Sequence, residues 1–345
     1  MAAPLSPPGS LATGVGALPH MDPKAACDDV LSIFPEFPFV PTLPNRGICE
    51  SIVFNDSARL PGRVIKGDRI SVDSSQDLST RMEQIYLDYL DANYAPYAAT
   101  IKTASGFFEM IQRSLPGGAH YLKCQVTGPV TFGMQVVDQD RKPIYYDPRF
   151  SDILPKLIAL RARWCEQAMR EKTHVDETLV VLNEPYFASI GSSVVPVDRP
   201  SVEAGWQDII AIMEGAVGIH CCSNTDWGFV MSLDPAVISF DAYANAREFL
   251  LYKDDLASYL ERGGVVAWGI VPADYRIFSQ ESPESLFDRY ASIRRQITAY
   301  IDEDFFDEHA LITPNCGIRF ADERGASEIM NAAADLSQKV RRSSL

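Results

Sequence analysis

Ala216-Val217-Gly218-Ile219-His220-Cys221-Cys222 is a short apolar run that ends in an imidazole and two thiols. Residues 216–219 read as a buried strand of the kind found in parallel sheets. Side chains two apart on a strand share a face, so His220 and Cys222 are presented together while Cys221 turns toward the core. The pair stands at the C-terminal end of its strand, which is where parallel α/β folds carry their chemistry.

Working outward, seven further runs have the same character. The expected strands are residues 12–18, 38–43, 121–126, 179–182, 216–222, 236–241, 265–271 and 310–313. Most are followed by turn residues and then by stretches of helical periodicity, as at 153–169, 202–214, 246–262 and 283–301. Strands and helices in this alternation predict a (β/α)8 TIM barrel, a single domain over residues 1–345. Residues 47–118 are too many for one crossover and are expected to form an insertion between the second and third strands, lying over the barrel mouth. Within them, 63–72 reads as a hairpin turning at Lys66-Gly67-Asp68, and 78–90 and 106–113 read as helices.

This register places more than the His-x-Cys pair at one mouth. Asp241 ends the sixth expected strand, and Cys316, in Pro314-Asn315-Cys316-Gly317, follows the eighth. Two thiolates and an imidazole suit zinc and leave a fourth position for a carboxylate, water or substrate. For Asp241 two roles stand open, a ligand or a capping and salt-bridging carboxylate. His20 follows the first strand at the same mouth, placed to hydrogen-bond a substrate, whereas His174 and His309 lie at the opposite, N-terminal ends of strands.

Composition narrows the class. A chain of 345 residues, 46% hydrophobic, can bury a large core. Its formal net charge of −15, with no basic cluster, argues against nucleic acid as a partner. Seven irregularly spaced cysteines do not make a disulfide framework and point to a reducing cytoplasm. The first residues lack the pattern of a signal peptide, and no run reaches membrane-spanning length.

Taken together, the motifs resemble the superfamily of cobalamin-independent methionine synthases and uroporphyrinogen decarboxylases, the methionine synthase side more closely. Gly14-Val15-Gly16-Ala17-Leu18-Pro19-His20 is similar to that enzyme's first-strand substrate loop, and Gln125-Val126-Thr127-Gly128-Pro129-Val130-Thr131 to its Leu-Thr-Gly-Pro-Val-Thr segment. Asn183-Glu184-Pro185 is similar to its Asp-Glu-Pro motif, His220-x-Cys222 to its first zinc ligands and Pro314-Asn315-Cys316-Gly317 to its last. The matches run in chain order from residue 14 to about 317.

The resemblance implies a Zn2+-dependent methyltransferase of methionine biosynthesis with His220, Cys222, Asp241 and Cys316 as ligands, Asp241 standing where the family has Glu. It implies Asn183 and Glu184 as catalytic residues, and Val15, Gly16, Ala17, His20, Glu50 and Asn183 as contacts to a small thiol such as homocysteine. Asn183 replaces the family's Asp and brings no charge to the substrate's amino group. Other departures concern the methyl donor. The chain has length for one barrel where the full enzyme has two, the folate-stacking Trp falls on Gln135, and the stretch just after the seventh strand holds no His, none lying between His220 and His309. A folate nitrogen needs a proton to leave, whereas reduced cobalt does not. Short single-barrel relatives imply a methylcobamide donor, often carried on a separate corrinoid protein.

Two alternatives remain at this point. A porphyrinogen decarboxylase uses the same fold without metal but needs an Arg-rich pocket, for which Arg46 is the one basic residue expected near the mouth. A non-catalytic metal- or corrinoid-binding accessory barrel is compatible with Asn183 and Asp241.

Overall fold

The computed structural model describes residues 2–193 and 195–343. Its centre is a curled sheet of seven parallel strands, TIM-barrel-like, with helices packed around it. In chain order the strands are β1 (Leu11–Ala12), the hairpin pair β2 (Arg63–Lys66) and β3 (Arg69–Val72), then β4 (Tyr121–Thr127), β5 (Glu177–Asn183), β6 (Ala216–Cys221), β7 (Val237–Phe240), β8 (Val265–Val271) and β9 (Ala310–Pro314). The sheet order is β1-β9-β8-β7-β6-β5-β4. Strands β4 and β6 to β9 are buried along their whole length, and burial on both faces explains why β8 reads as an unbroken apolar run rather than an alternating one.

The two ends of the sheet depart from the expectation of eight full strands. The expected strand at 38–43 makes only isolated parallel bridges, Phe39 with Lys123 and Ala17 with Thr42. Pro38 and Pro41 have no amide hydrogen to contribute, so the segment pairs through Val40, which donates to the Lys123 carbonyl at 2.7 Å, and Thr42, which donates to the Gly16 carbonyl at 2.8 Å. The first strand is also shorter than expected and stops at Ala12. Beyond it the chain runs as a loop over residues 13–18.

The hairpin β2–β3 forms as read, antiparallel and turning at Gly67, whose φ of 57° suits glycine. Helices form at Ser79–Leu90 and Ser105–Met110, close to the expected 78–90 and 106–113. The long crossover helix Pro148–Thr173 starts on an Asp147 cap and packs on Arg199–Ile210. The periodic stretch 246–262 divides into helices Ala242–Phe249 and Lys253–Glu261, joined by a 3-10 turn. Among the described residues no helix is long and apolar enough to cross a membrane.

Candidate metal centre

Strand β6 delivers His220 one residue before its end, and Cys222 follows directly; Cys316 lies two residues beyond β9. One nitrogen of His220 and the sulfurs of Cys222 and Cys316 all lie within 4.8 Å of one another, the one such group of potential ligands among the described residues. Tetrahedral zinc holds thiolate and imidazole ligands about 3.5–4 Å apart, so small side-chain adjustments bring this set to that spacing.

The surroundings fit a metal. His220 is only 4% exposed; its Nδ1 lies 2.9 Å from the Ser239 hydroxyl, while Nε2 is buried and has no hydrogen-bond partner. A buried ring nitrogen left unpaired costs free energy that coordination would recover. The closeness of Cys316 and then of His220 pulls the Cys222 thiol well below its ordinary range, and the closeness of Cys222 pushes Cys316 up. The donor set of one imidazole and two sulfurs is the chemistry zinc prefers. All seven cysteines are free thiols. Cys221 is fully buried and its thiol is pushed up to about 12 by burial, as suits a core residue.

No motif of the sequence marks Ser239; the one signal is a hydroxyl inside the apolar run Val237-Ile238-Ser239-Phe240. It sits in register with His220 across the β6–β7 ladder. Such outer partners orient a ligating ring, and their loss weakens metal binding about 10- to 100-fold. Ser239→Ala is therefore expected to lower zinc affinity by that factor, measured by chelator competition, with the melting temperature of the metal-free protein changed little.

Asp241 is not part of the converging group. Its Oδ1 accepts from the Ala244 amide at 2.9 Å and caps the helix Ala242–Phe249. Burial raises its carboxyl, and charge interactions with Cys222 and His220 place it in the same neighbourhood.

The triad opens into a cavity of about 1240 Å³. Val15, Ala17, Glu50 and Asn183 line it, together with Gln135 and residues of the β2–β3 hairpin. Asn183 Oδ1 accepts from Gln125 Nε2 at 2.6 Å, and Gln125 Oε1 in turn accepts from the Gly16 amide. A Cβ on Gly16 would stand 2.6 Å from that oxygen, so a side chain there would displace the Gln125 amide. Gln125, which also lines the cavity, is a second residue the sequence reading passed over. Glu50 accepts from the Ser105 amide at 3.1 Å and pairs with Arg46 at 3.0 Å.

Other expected residues lie elsewhere. His20 is buried against Asp29, with Nε2 3.2 Å from the carboxylate, and is not among the residues lining the cavity. Glu184 is 1% exposed and also lies outside it. Its carboxylate accepts from the Val130 amide at 3.0 Å, the Thr131 amide at 2.8 Å and the Thr131 hydroxyl at 2.6 Å, capping the helix Pro129–Gln135 from the next strand. Burial lifts its carboxyl to about 7 against the pull of those donors. Arg46 is not among the residues that line the cavity, whereas exposed Lys66, Arg69, Arg141 and Arg319 are. These lie on or near the hairpin and the loops, whose positions relative to the strand ends the sequence does not reveal.

No family model and no curated protein matches the chain. Among solved structures, a B12-independent methionine synthase from Shewanella sp. W3-18-1 in complex with selenomethionine aligns at 17% identity with a TM-score of 0.47, over 80% of this chain and 69% of that one. The GH113 β-mannanase AaManA from Alicyclobacillus acidocaldarius, in complex with ManMIm, aligns at 11% identity and a TM-score of 0.44 over 98% of both chains. A Listeria monocytogenes protein assigned as a vitamin-B12-independent methionine synthase aligns at 12% identity with a TM-score of 0.57, over 99% of both chains. The chain thus shares, along its whole length, the fold of the Listeria protein.

Proposed function

We propose that this protein is a zinc-dependent methyltransferase that moves a methyl group from a methylcobamide to a small thiol, homocysteine or a close relative. The observation that carries the reading is the convergence of His220, Cys222 and Cys316, with an unpaired buried Nε2, on one large cavity. These three side chains would hold the zinc, which when bound would act as a Lewis acid and lower the pKa of a substrate thiol toward neutral pH. We read the sheet as a closed (β/α)8 barrel completed by the bridges of residues 38–42, with 47–118 as an insertion over its mouth.

The protein's own groups then divide the work. The loop Val15-Gly16-Ala17 and the Asn183 amide form the wall that receives the thiol substrate, and Glu50 offers a carboxylate to its amino group. Glu184 holds in place the helix Pro129–Gln135, whose Thr131 and Gln135 line the cavity. Methyl transfer forms a sulfur–carbon bond as the carbon–cobalt bond breaks; cobalt keeps the electron pair and needs no proton. Gln135, where a pterin-stacking ring would stand, lines the cavity and provides no aromatic platform. A cavity of about 1240 Å³ exceeds what a small thiol fills and leaves space for part of a large second substrate, delivered free or on a corrinoid protein.

Asp241 is assigned as the fourth ligand through its second carboxylate oxygen, the first being held by Ala244. Asp241→Ala is expected to reduce zinc affinity at least about tenfold and to cost about 1 kcal/mol through the lost helix cap. Chelator competition and thermal melts separate the two effects. A porphyrinogen decarboxylase reading gains the four rim cations but leaves the His-Cys-Cys group without a task. Metal content together with a thiol-alkylation assay distinguishes that reading, and the accessory-barrel one, from the methyltransferase: only the last predicts both zinc and turnover.

A further inference from the structure

Lys123 is buried in strand β4, 4% exposed, and among the described residues no carboxylate pairs with it. Among the described residues its side chain makes one hydrogen bond, from Nζ to the Gly14 carbonyl at 2.6 Å, and the ammonium lies 6.0 Å from the centre of the Phe39 ring. Burial without a counter-charge draws its pKa down to about 7. An unpaired ammonium in an apolar interior is expensive, and an aliphatic side chain of the same length would fill the space without that cost.

What the lysine holds gives it a task. Lys123 and Gln125 are two apart on β4 and share a face. Lys123 grips the carbonyl of Gly14, Gln125 grips the amide of Gly16, and Gln125 also binds Asn183. Two neighbouring side chains of one strand therefore clamp alternate peptides of a loop that has left the sheet at Ala12. The residues between and beyond the clamped ones, Val15 and Ala17, line the cavity.

We infer that Lys123 is a positioning residue which, with Gln125, fixes the 14–17 loop in the shape that receives the thiol; this rests on the reading above of that loop as the acceptor wall. The test is Lys123→Met in the full-length, zinc-loaded protein. Methionine matches the length and removes the buried charge, so the melting temperature should stay level or rise, which a merely structural lysine would not allow. Hydrogen–deuterium exchange in residues 11–18 should quicken by roughly tenfold or more while β5 to β8 keep their protection. With homocysteine and methylcobalamin as substrates, the thiol KM should rise about tenfold and the donor KM stay within about twofold. Unchanged exchange in residues 11–18 would overturn the inference, as would a thiol KM that stays put or moves in parallel with the donor KM. If the unaltered protein transfers no methyl group, the functional reading fails, and the exchange result alone decides whether Lys123 holds the loop.

Discussion

Cys316→Ser is expected to empty the metal site and abolish thiol methylation together. Zinc should fall from about one per chain to less than about a tenth, and transfer to the thiol by on the order of a thousandfold or more, since a serine hydroxyl is a poor substitute for a thiolate ligand. The fold should survive. Cys316 is half-buried, lies beyond the last paired residue of β9 and contributes no ladder hydrogen bond, so the variant should melt with the metal-free native protein. Elemental analysis and circular dichroism give the two numbers. Full zinc occupancy in this variant would place the metal elsewhere.

The second large effect is on stability. Glu184→Ala removes the acceptor for three donors at the start of the helix Pro129–Gln135 and leaves two amides and a hydroxyl buried without partners. A loss of about 3 kcal/mol or more is expected, from the lost cap and the stranded donors together. The packing is tight enough that no other side chain can take over: a Cβ on Gly128 would already stand 2.2 Å from this carboxylate. A pH dependence accompanies it. Burial raises the folded carboxyl from an ordinary 4.5 to about 7, so the folded chain holds a proton that the unfolded chain releases. The associated stabilisation is complete below about pH 4.5 and is lost as the pH rises through 7. Urea melts of the native protein should show that slope between those values, and Glu184→Gln, which cannot ionise, should flatten it.

Much of this arrangement is legible in the chain itself, for identifiable reasons. Val265–Val271 forms as expected, because a strand buried on both faces reads as an uninterrupted apolar run, and β4, β6 and β9 differ from their expected ranges by a residue. The triad is legible because residue 222 must share a face with 220 and because Pro314-Asn315-Cys316 follows an apolar strand. The segment 38–43 misleads for the opposite reason: it is apolar enough for a strand, but Pro38 and Pro41 limit it to single bridges. Glu184 and His20 show a further limit. Both follow strands, yet one turns back to cap a helix and the other pairs with Asp29, a partner nine residues on that no local pattern reveals. Ser239 acts across the β6–β7 ladder and Lys123 on a loop far back in the chain, contacts that no local pattern reveals.

The most direct test of the account mixes the zinc-loaded protein with homocysteine and methylcobalamin and follows the corrin absorbance while methylated thiol is quantified, with methyltetrahydrofolate as the competing donor. The account predicts thiol-dependent demethylation of methylcobalamin in step with product, lost on chelation of zinc and in Cys316→Ser. Methyl transfer from methyltetrahydrofolate at a comparable or higher rate, with none from any methylcobamide, would contradict it.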